Sequence, residues 1–179
     1  MSNSILIMDG DAMMRALRRI AHEILEHNPD PDALALIGIP SRGVELARRL
    51  ADLIKNTDGR APEVGAIDIS MHRDDLSLRN RLTRVQETHL PLNLEEFTLI
   101  LVDDVLYTGR TCRAAMDAIS SFGRPARIQL AVLLDRGHRE LPIRPDYVGK
   151  NLPTSGEERV RVALQNVDAE PDSVRLERP

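Results

Sequence analysis

Residues 97–119, FTLILVDDVLYTGRTCRAAMDAI, decide the fold. An apolar run at 97–102 meets two adjacent carboxylates, Asp103 and Asp104. A short turn with Thr108, Gly109 and Thr111 follows, and a helical pattern begins at Cys112. The run is too short for a buried helix before the turn signals and reads as a buried strand. The turn delivers free backbone N–H groups and small hydroxyls to a helix N-terminus, which is a phosphate-binding arrangement. Carboxylates just upstream can accept hydrogen bonds from two vicinal hydroxyls. Together these features describe a pocket for a ribose bearing a 5′-phosphate. The plainer reading is a buried strand and an ordinary polar turn, but adjacent acids at a strand end are hard to satisfy without a ligand.

Other nucleotide loops are excluded by their absence from the chain. There is no G-x-x-x-x-G-K-[ST] and no strand followed by G-x-G-x-x-G, so the Walker and dinucleotide fingerprints are missing. A receiver domain also places paired acids after a hydrophobic strand. It needs far more chain beyond them than follows Asp104 here.

Working outward, 34–39 is a second short apolar strand, followed by Pro40-Ser41-Arg42-Gly43 and a helix over about 44–54. Residues 8–26 carry Met13, Leu17, Ile20, Ile24 and Leu25 at helical spacing, ended by Asn28-Pro29-Asp30-Pro31. Strands are also expected at 64–70, 128–134, 147–152 and 160–167, and over 174–176. The helix after the signature turn spans about 111–122. Strand–helix alternation over the first 135 residues predicts an α/β fold with a mostly parallel, doubly wound sheet. Its site would lie in the loops at the C-terminal strand ends.

Composition sets the bounds. At 179 residues the chain forms one domain able to bury a core, which must be aliphatic because it has two Phe, two Tyr and no Trp. A net charge of −4 makes no global case for nucleic acid. All but two of the 24 basic residues are arginine, clustered at 15–19, 79–84 and 136–144. Arginine suits bidentate phosphate contacts, although an arginine-rich chain also follows from genomic base composition. The lone Cys112 excludes an internal disulfide and cannot build a zinc site. Its place at a helix start could lower its pKa, but a small packing residue is the simpler reading. No signal-peptide pattern and no membrane-length apolar run occur, so a cytoplasmic protein is expected.

The string Val102-Asp103-Asp104-Val105-Leu106-Tyr107-Thr108-Gly109-Arg110-Thr111 resembles the signature of the type I phosphoribosyltransferases. The resemblance implies that the acids hold the 2′- and 3′-hydroxyls of phosphoribosyl pyrophosphate (PRPP). The loop amides from Val105 to Thr111 would hold its 5′-phosphate. Ser41, Arg42 and Gly43 resemble the family's pyrophosphate loop, where threonine is commoner than Ser41. The implied fold has a small hood, over about 140–179, and a flexible flap, over about 71–95, which closes over PRPP to exclude water.

Longer strings resemble one subfamily, the pyrimidine-operon attenuation regulators (the PyrR family), almost end to end. They include Arg19-Ile20-Ala21-His22-Glu23, His72-Arg73-Asp74-Asp75-Leu76, Asp135-Arg136-Gly137-His138-Arg139-Glu140 and Gly149-Lys150-Asn151-Leu152-Pro153. The implied reaction converts uracil and PRPP to UMP and diphosphate, with Mg²⁺ bound mainly through PRPP and no metal-ligating protein cluster. Asp103, Asp104 and Arg42 would carry catalysis by position and charge. Arg136 would lie beside the nucleotide, and the backbone near Val160 would line the uracil pocket. The same resemblance implies binding of leader mRNA through Arg18, Arg19, His22, Arg139 and Arg144, and a homodimer or higher homo-oligomer. The alternative is a salvage enzyme without RNA binding.

Overall fold

A computed structural model of the chain describes residues 3–74 and 86–179. Its main sheet is five-stranded and parallel, in the order β3-β2-β4-β5-β6. Those strands are β2 (Leu34–Gly38), β3 (Glu63–Ala66), β4 (Thr98–Leu106), β5 (Arg127–Asp135) and β6 (Tyr147–Asn151). Every residue of β2 is buried, which is why it reads as an unbroken apolar run rather than an alternating one.

The pleat sends alternate residues of each strand to opposite faces. Leu36, Ile100, Val102, Ala131 and Leu133 pack with helices α1 (Gly10–His27) and α2 (Arg42–Asp58). Ala35, Ile37, Leu99, Leu101 and Val132 pack with α3 (Arg110–Ser120). The side chain of Asp9 caps α1 by accepting from Ala12 N–H at 2.8 Å. At the other end of α2, Gly59 takes the left-handed C-cap conformation.

A second, antiparallel sheet has the order β1-β8-β7, from β1 (Asn3–Asp9), β7 (Arg159–Ala163) and β8 (Ser173–Arg178). A short helix, α4 (Gln165–Asp168), joins its last two strands. We call this sheet and α4 the hood; the range expected for a hood, about 140–179, overlaps it only in part. The edge strand β6 belongs to the main sheet, and β1, from the opposite chain end, joins the hood. Its partner β8 is more than 160 residues away in sequence, so local pattern carries no trace of the pairing.

Other boundaries move for local reasons. β3 stops at Ala66, because Asp68 turns the chain by accepting from Ser70 N–H, Ser70 Oγ–H and Gln86 N–H. β7 stops at Ala163, because Asp168 accepts from Leu164 N–H at 2.8 Å and starts α4. β4 runs on through both acids to Leu106. Much of the expected flap, including Asp75, Leu76, Arg79, Arg81 and Arg84, lies outside the described residues.

Candidate active site

The sheet order reverses between β2 and β4: from β2 the chain passes outward to β3, while β4 to β6 follow on the other side. Ligands in open α/β sheets bind outside the carboxyl ends of strands at such a point. Here the Pro40–Arg42 turn and β4 come together. Ile39 N–H donates to Val102 C=O at 2.9 Å. Gly43 packs so closely on β4 that a Cβ would lie 2.3 Å from Val102 O. Only glycine fits, and the approach carries Arg42 to the paired acids.

The acids are held by the backbone that follows them. Asp103 accepts from Asp104 N–H at 2.9 Å, and Asp104 accepts from Val105 N–H at 2.8 Å. Burial first, and the adjacent Asp104 carboxylate second, push Asp103 well above the usual carboxylate range. Arg73 opposes that shift weakly by its charge. Arg42 Nη1 stands 3.9 Å from Asp104 Oδ2. Its other two nitrogens form a fork on Asp168 of the hood, at 3.1 and 2.8 Å. Burial disfavours the charge on Asp168, but the Arg42 hydrogen bonds, the Leu164 N–H and the charges of Arg42 and Arg161 together outweigh it and hold that carboxyl below its ordinary range.

Beyond the acids, Gly109 adopts φ 92°, a left-handed conformation that directs the chain into α3. Its N-cap, Gly109, supplies no side-chain cap, and Arg110 N–H donates to Thr108 Oγ1 at 3.3 Å, so the first-turn amides lie at the loop. Asp103, Val105, Leu106, Tyr107, Thr108, Gly109, Arg110 and Thr111, together with Arg73 and Asp74, line a cavity of about 220 Å³. The structure therefore brings the signature residues from Asp103 to Thr111, all but Asp104, onto one hollow, at a helix N-terminus suited to an anion.

The remaining expected residues are spread more widely. Ser41 lines a separate hollow beside Glu45 and Gln86. Arg136 is buried, lies 4.2 Å from the Tyr107 ring centroid and donates to Thr154 Oγ1 and to the Ser155 and Glu158 carbonyls. It borders an adjoining hollow that also includes His138 and Asn151. Val160 is half-buried in β7 and packs on the main core.

The basic residues sort by their contacts. Arg18 and His22 are exposed on α1 and line a hollow with Leu53, Asn56 and Thr57 of α2. Arg19 donates to Glu23 and to the Val148 and Gly149 carbonyls, tying α1 to the edge strand β6. Arg139 donates to the Ile143 and Tyr107 carbonyls and to Asp135, bracing its own loop. Arg144 is exposed.

Two groups of charges escape a sequence reading. Asp74 accepts from both Arg110 and Arg113, and Arg110 also donates to Glu140, which fastens the end of the described flap to the α3 start. Asp168 and Asp172 pair with Arg42 and Arg49. The i, i+3 spacing of Arg110 and Arg113 hinted at a shared partner; nothing local marked Asp168. Cys112 is buried, and burial pushes its thiol up to about 11, consistent with a packing role. Among the described residues no group of three or more His, Cys, Asp or Glu could hold a metal ion, and no helix is long and apolar enough to cross a membrane.

Residues 6–166 match the family described as "Phosphoribosyl transferase domain". The chain is 53% identical over 170 residues to "Bifunctional protein PyrR" of Bacillus cereus, covering 94% of each chain. The same values hold for the Bacillus anthracis protein of that name. Among solved structures it resembles the hypoxanthine phosphoribosyltransferase of Trypanosoma cruzi, with a TM-score of 0.71 at 18% identity over 97% of this chain and 96% of that one. A hypoxanthine-guanine phosphoribosyltransferase of Bacillus anthracis gives 0.67 at 17% identity over 83% and 84%. At such identities the likeness is one of fold.

Proposed function

From the premise that the chain belongs to the PyrR family of phosphoribosyl transferases, we propose that it forms UMP and diphosphate from uracil and PRPP. We also propose that it controls pyrimidine-biosynthesis genes by nucleotide-dependent binding of leader mRNA. The observation that carries the enzymatic part is the convergence of three features. These are the paired acids of β4, the Gly109 turn at the start of α3, and the Arg42 guanidinium 3.9 Å from Asp104.

In this reading the bond from ribose C1′ to the diphosphate oxygen breaks and a bond to uracil N1 forms, with the N1 proton released. Positive charge develops at C1′ and negative charge on the leaving diphosphate. Asp103 and Asp104 accept from the ribose hydroxyls and fix C1′. The amides from Leu106 to Thr111 hold the 5′-phosphate, because the Val105 amide, expected there too, donates to Asp104. Arg42, with Ser41 and Gly43, faces the diphosphate, where its charge counters the leaving group. No side chain acts as a nucleophile, so orientation and electrostatics supply the acceleration.

The donor set suits a Mg²⁺ ion that arrives chelated by PRPP, since two neighbouring carboxylates alone do not make an octahedral oxygen site. When bound, that ion neutralises diphosphate charge. Arg136 and the Val160 backbone are assigned to the uracil side. We assign Arg18, Arg19, His22, Arg139 and Arg144 to RNA in a cytoplasmic homo-oligomer. The exposure of Arg18, His22 and Arg144 supports this, while the contacts of Arg19 and Arg139 give those two a bracing role as well. The test is UMP formation from uracil and PRPP, with hypoxanthine as competing base. UMP as the main product is expected; IMP as the main product would overturn the assignment of the base.

A further inference from the structure

Helix α2 is tied to the hood by two parallel clamps. Arg42 grips Asp168 through Nε and Nη2, and Arg49, seven residues on, grips Asp172 through Nη1 and Nη2 at 2.5 and 3.2 Å. Both carboxylates are pinned in the same way from behind, Asp168 by Leu164 N–H and Asp172 by Gln165 N–H. Seven residues put the second clamp about 10 Å further from the strand ends. Only the first reaches the site, because the one nitrogen that Asp168 leaves uncommitted, Arg42 Nη1, faces Asp104.

We propose that Asp168 is a positioning residue for the transferase reaction, fixing the Arg42 fork so that its Nη1 edge is presented to the diphosphate beside Asp104. This deepens the phosphoribosyltransferase reading and rests on it. The physical basis is rigidity. A guanidinium held bidentately has lost its rotational freedom before the substrate arrives, so binding PRPP costs less ordering. Leu164, whose amide pins Asp168, is fully buried, so the anchor belongs to the packed hood rather than to a mobile surface chain. The hood thereby contributes to the diphosphate side of the site through a residue that never touches substrate.

The matched clamp supplies the control. Asp168→Asn and Asp172→Asn each exchange one carboxylate oxygen for an amide that cannot accept from arginine. Each breaks one fork, weakens one turn of backbone anchoring and loosens the same hood attachment. A structural role alone would make the two variants alike. Positioning predicts that they differ: Asp168→Asn raises the KM for PRPP about tenfold or more, with kcat and the KM for uracil within about twofold. Asp172→Asn leaves all three near wild type while lowering Tm by a similar amount. Asp168→Glu, which restores a carboxylate, recovers part of the PRPP affinity.

Steady-state kinetics on the full-length protein, with calorimetric titration of PRPP, decides the matter. Equal effects of Asp168→Asn and Asp172→Asn on PRPP, or no effect of either in an active wild type, would overturn the positioning role alone. A wild type that binds no PRPP would overturn the parent reading with it.

Discussion

Arg42 Nη1 lies 3.9 Å from Asp104 Oδ2 while the rest of the same guanidinium forks onto Asp168. One side chain thus joins the β2 loop, the signature strand and the hood. Arg42→Lys keeps the charge but loses the planar fork, so it cannot serve both carboxylates at once. The expected result is a fall in kcat/KM for PRPP of about ten- to a hundredfold, roughly 1.4–2.7 kcal/mol of transition-state stabilisation, measured by initial rates of UMP formation.

Asp103 sits above the usual carboxylate range because burial and Asp104 oppose its charge. A folded-state pKa raised above the unfolded value means that its contribution to stability is fully present at low pH. That contribution is lost as pH rises through the folded pKa. Asp103→Asn removes the ionisation while keeping an oxygen to accept from Asp104 N–H. It should melt a few degrees above wild type at pH 7–8, and the difference should vanish near pH 4. UMP formation should fall at the same time, the exchange of activity for stability expected where a site stores strain. A variant less stable than wild type at pH 8 would contradict this electrostatic account.

Gly109 stands at φ 92°, and a Cβ there would come within 3.3 Å of Ile143. A side chain at a left-handed position costs about 1–2 kcal/mol, and the crowding by Ile143 adds to it. For a domain of this size that is a fall in Tm of roughly 2–8 °C. Gly109→Ala should show it in thermal unfolding, with a larger relative loss in PRPP affinity, because the turn aims the amides of the α3 start.

Arg18 and Arg139 separate two kinds of arginine. Arg18 is exposed, whereas Arg139 donates to two backbone carbonyls and Asp135. Arg18→Ala should leave Tm unchanged and weaken leader-RNA binding, with the slope of log K against log salt falling by about 0.7–0.9 for each phosphate that the variant no longer neutralises. Arg139→Ala should lower Tm by several degrees, since it strips partners from part-buried groups. Equal Tm for both variants would remove the distinction.

The main sheet was legible because its strands are short apolar runs punctuated by loops, and β4 carries both its buried face and its acids in one string. The candidate site loop was legible for the same reason: the residues from Asp103 to Thr111 are contiguous and all reach one hollow but Asp104, which turns to Arg42. What escaped is non-local. The apolar run of β1, Ile5 to Met8, is too short to be told from the start of α1, and its partner is at the other chain end. Asp168 follows directly on a segment, 160–167, that reads as strand, and its carboxylate, by accepting from Leu164 N–H, turns that segment into α4. Arg139 and Arg144 look alike in sequence. No local pattern tells a guanidinium folded onto carbonyls from one facing water.

In the function proposed above, one nucleotide site serves both catalysis and RNA control. Titration of the protein with its own operon's leader RNA, at near-physiological salt with and without UMP, tests it most directly. Tight, sequence-selective binding that UMP strengthens by about an order of magnitude is expected. Binding no better than to a scrambled RNA, alongside robust UMP formation, would contradict it and leave a salvage enzyme.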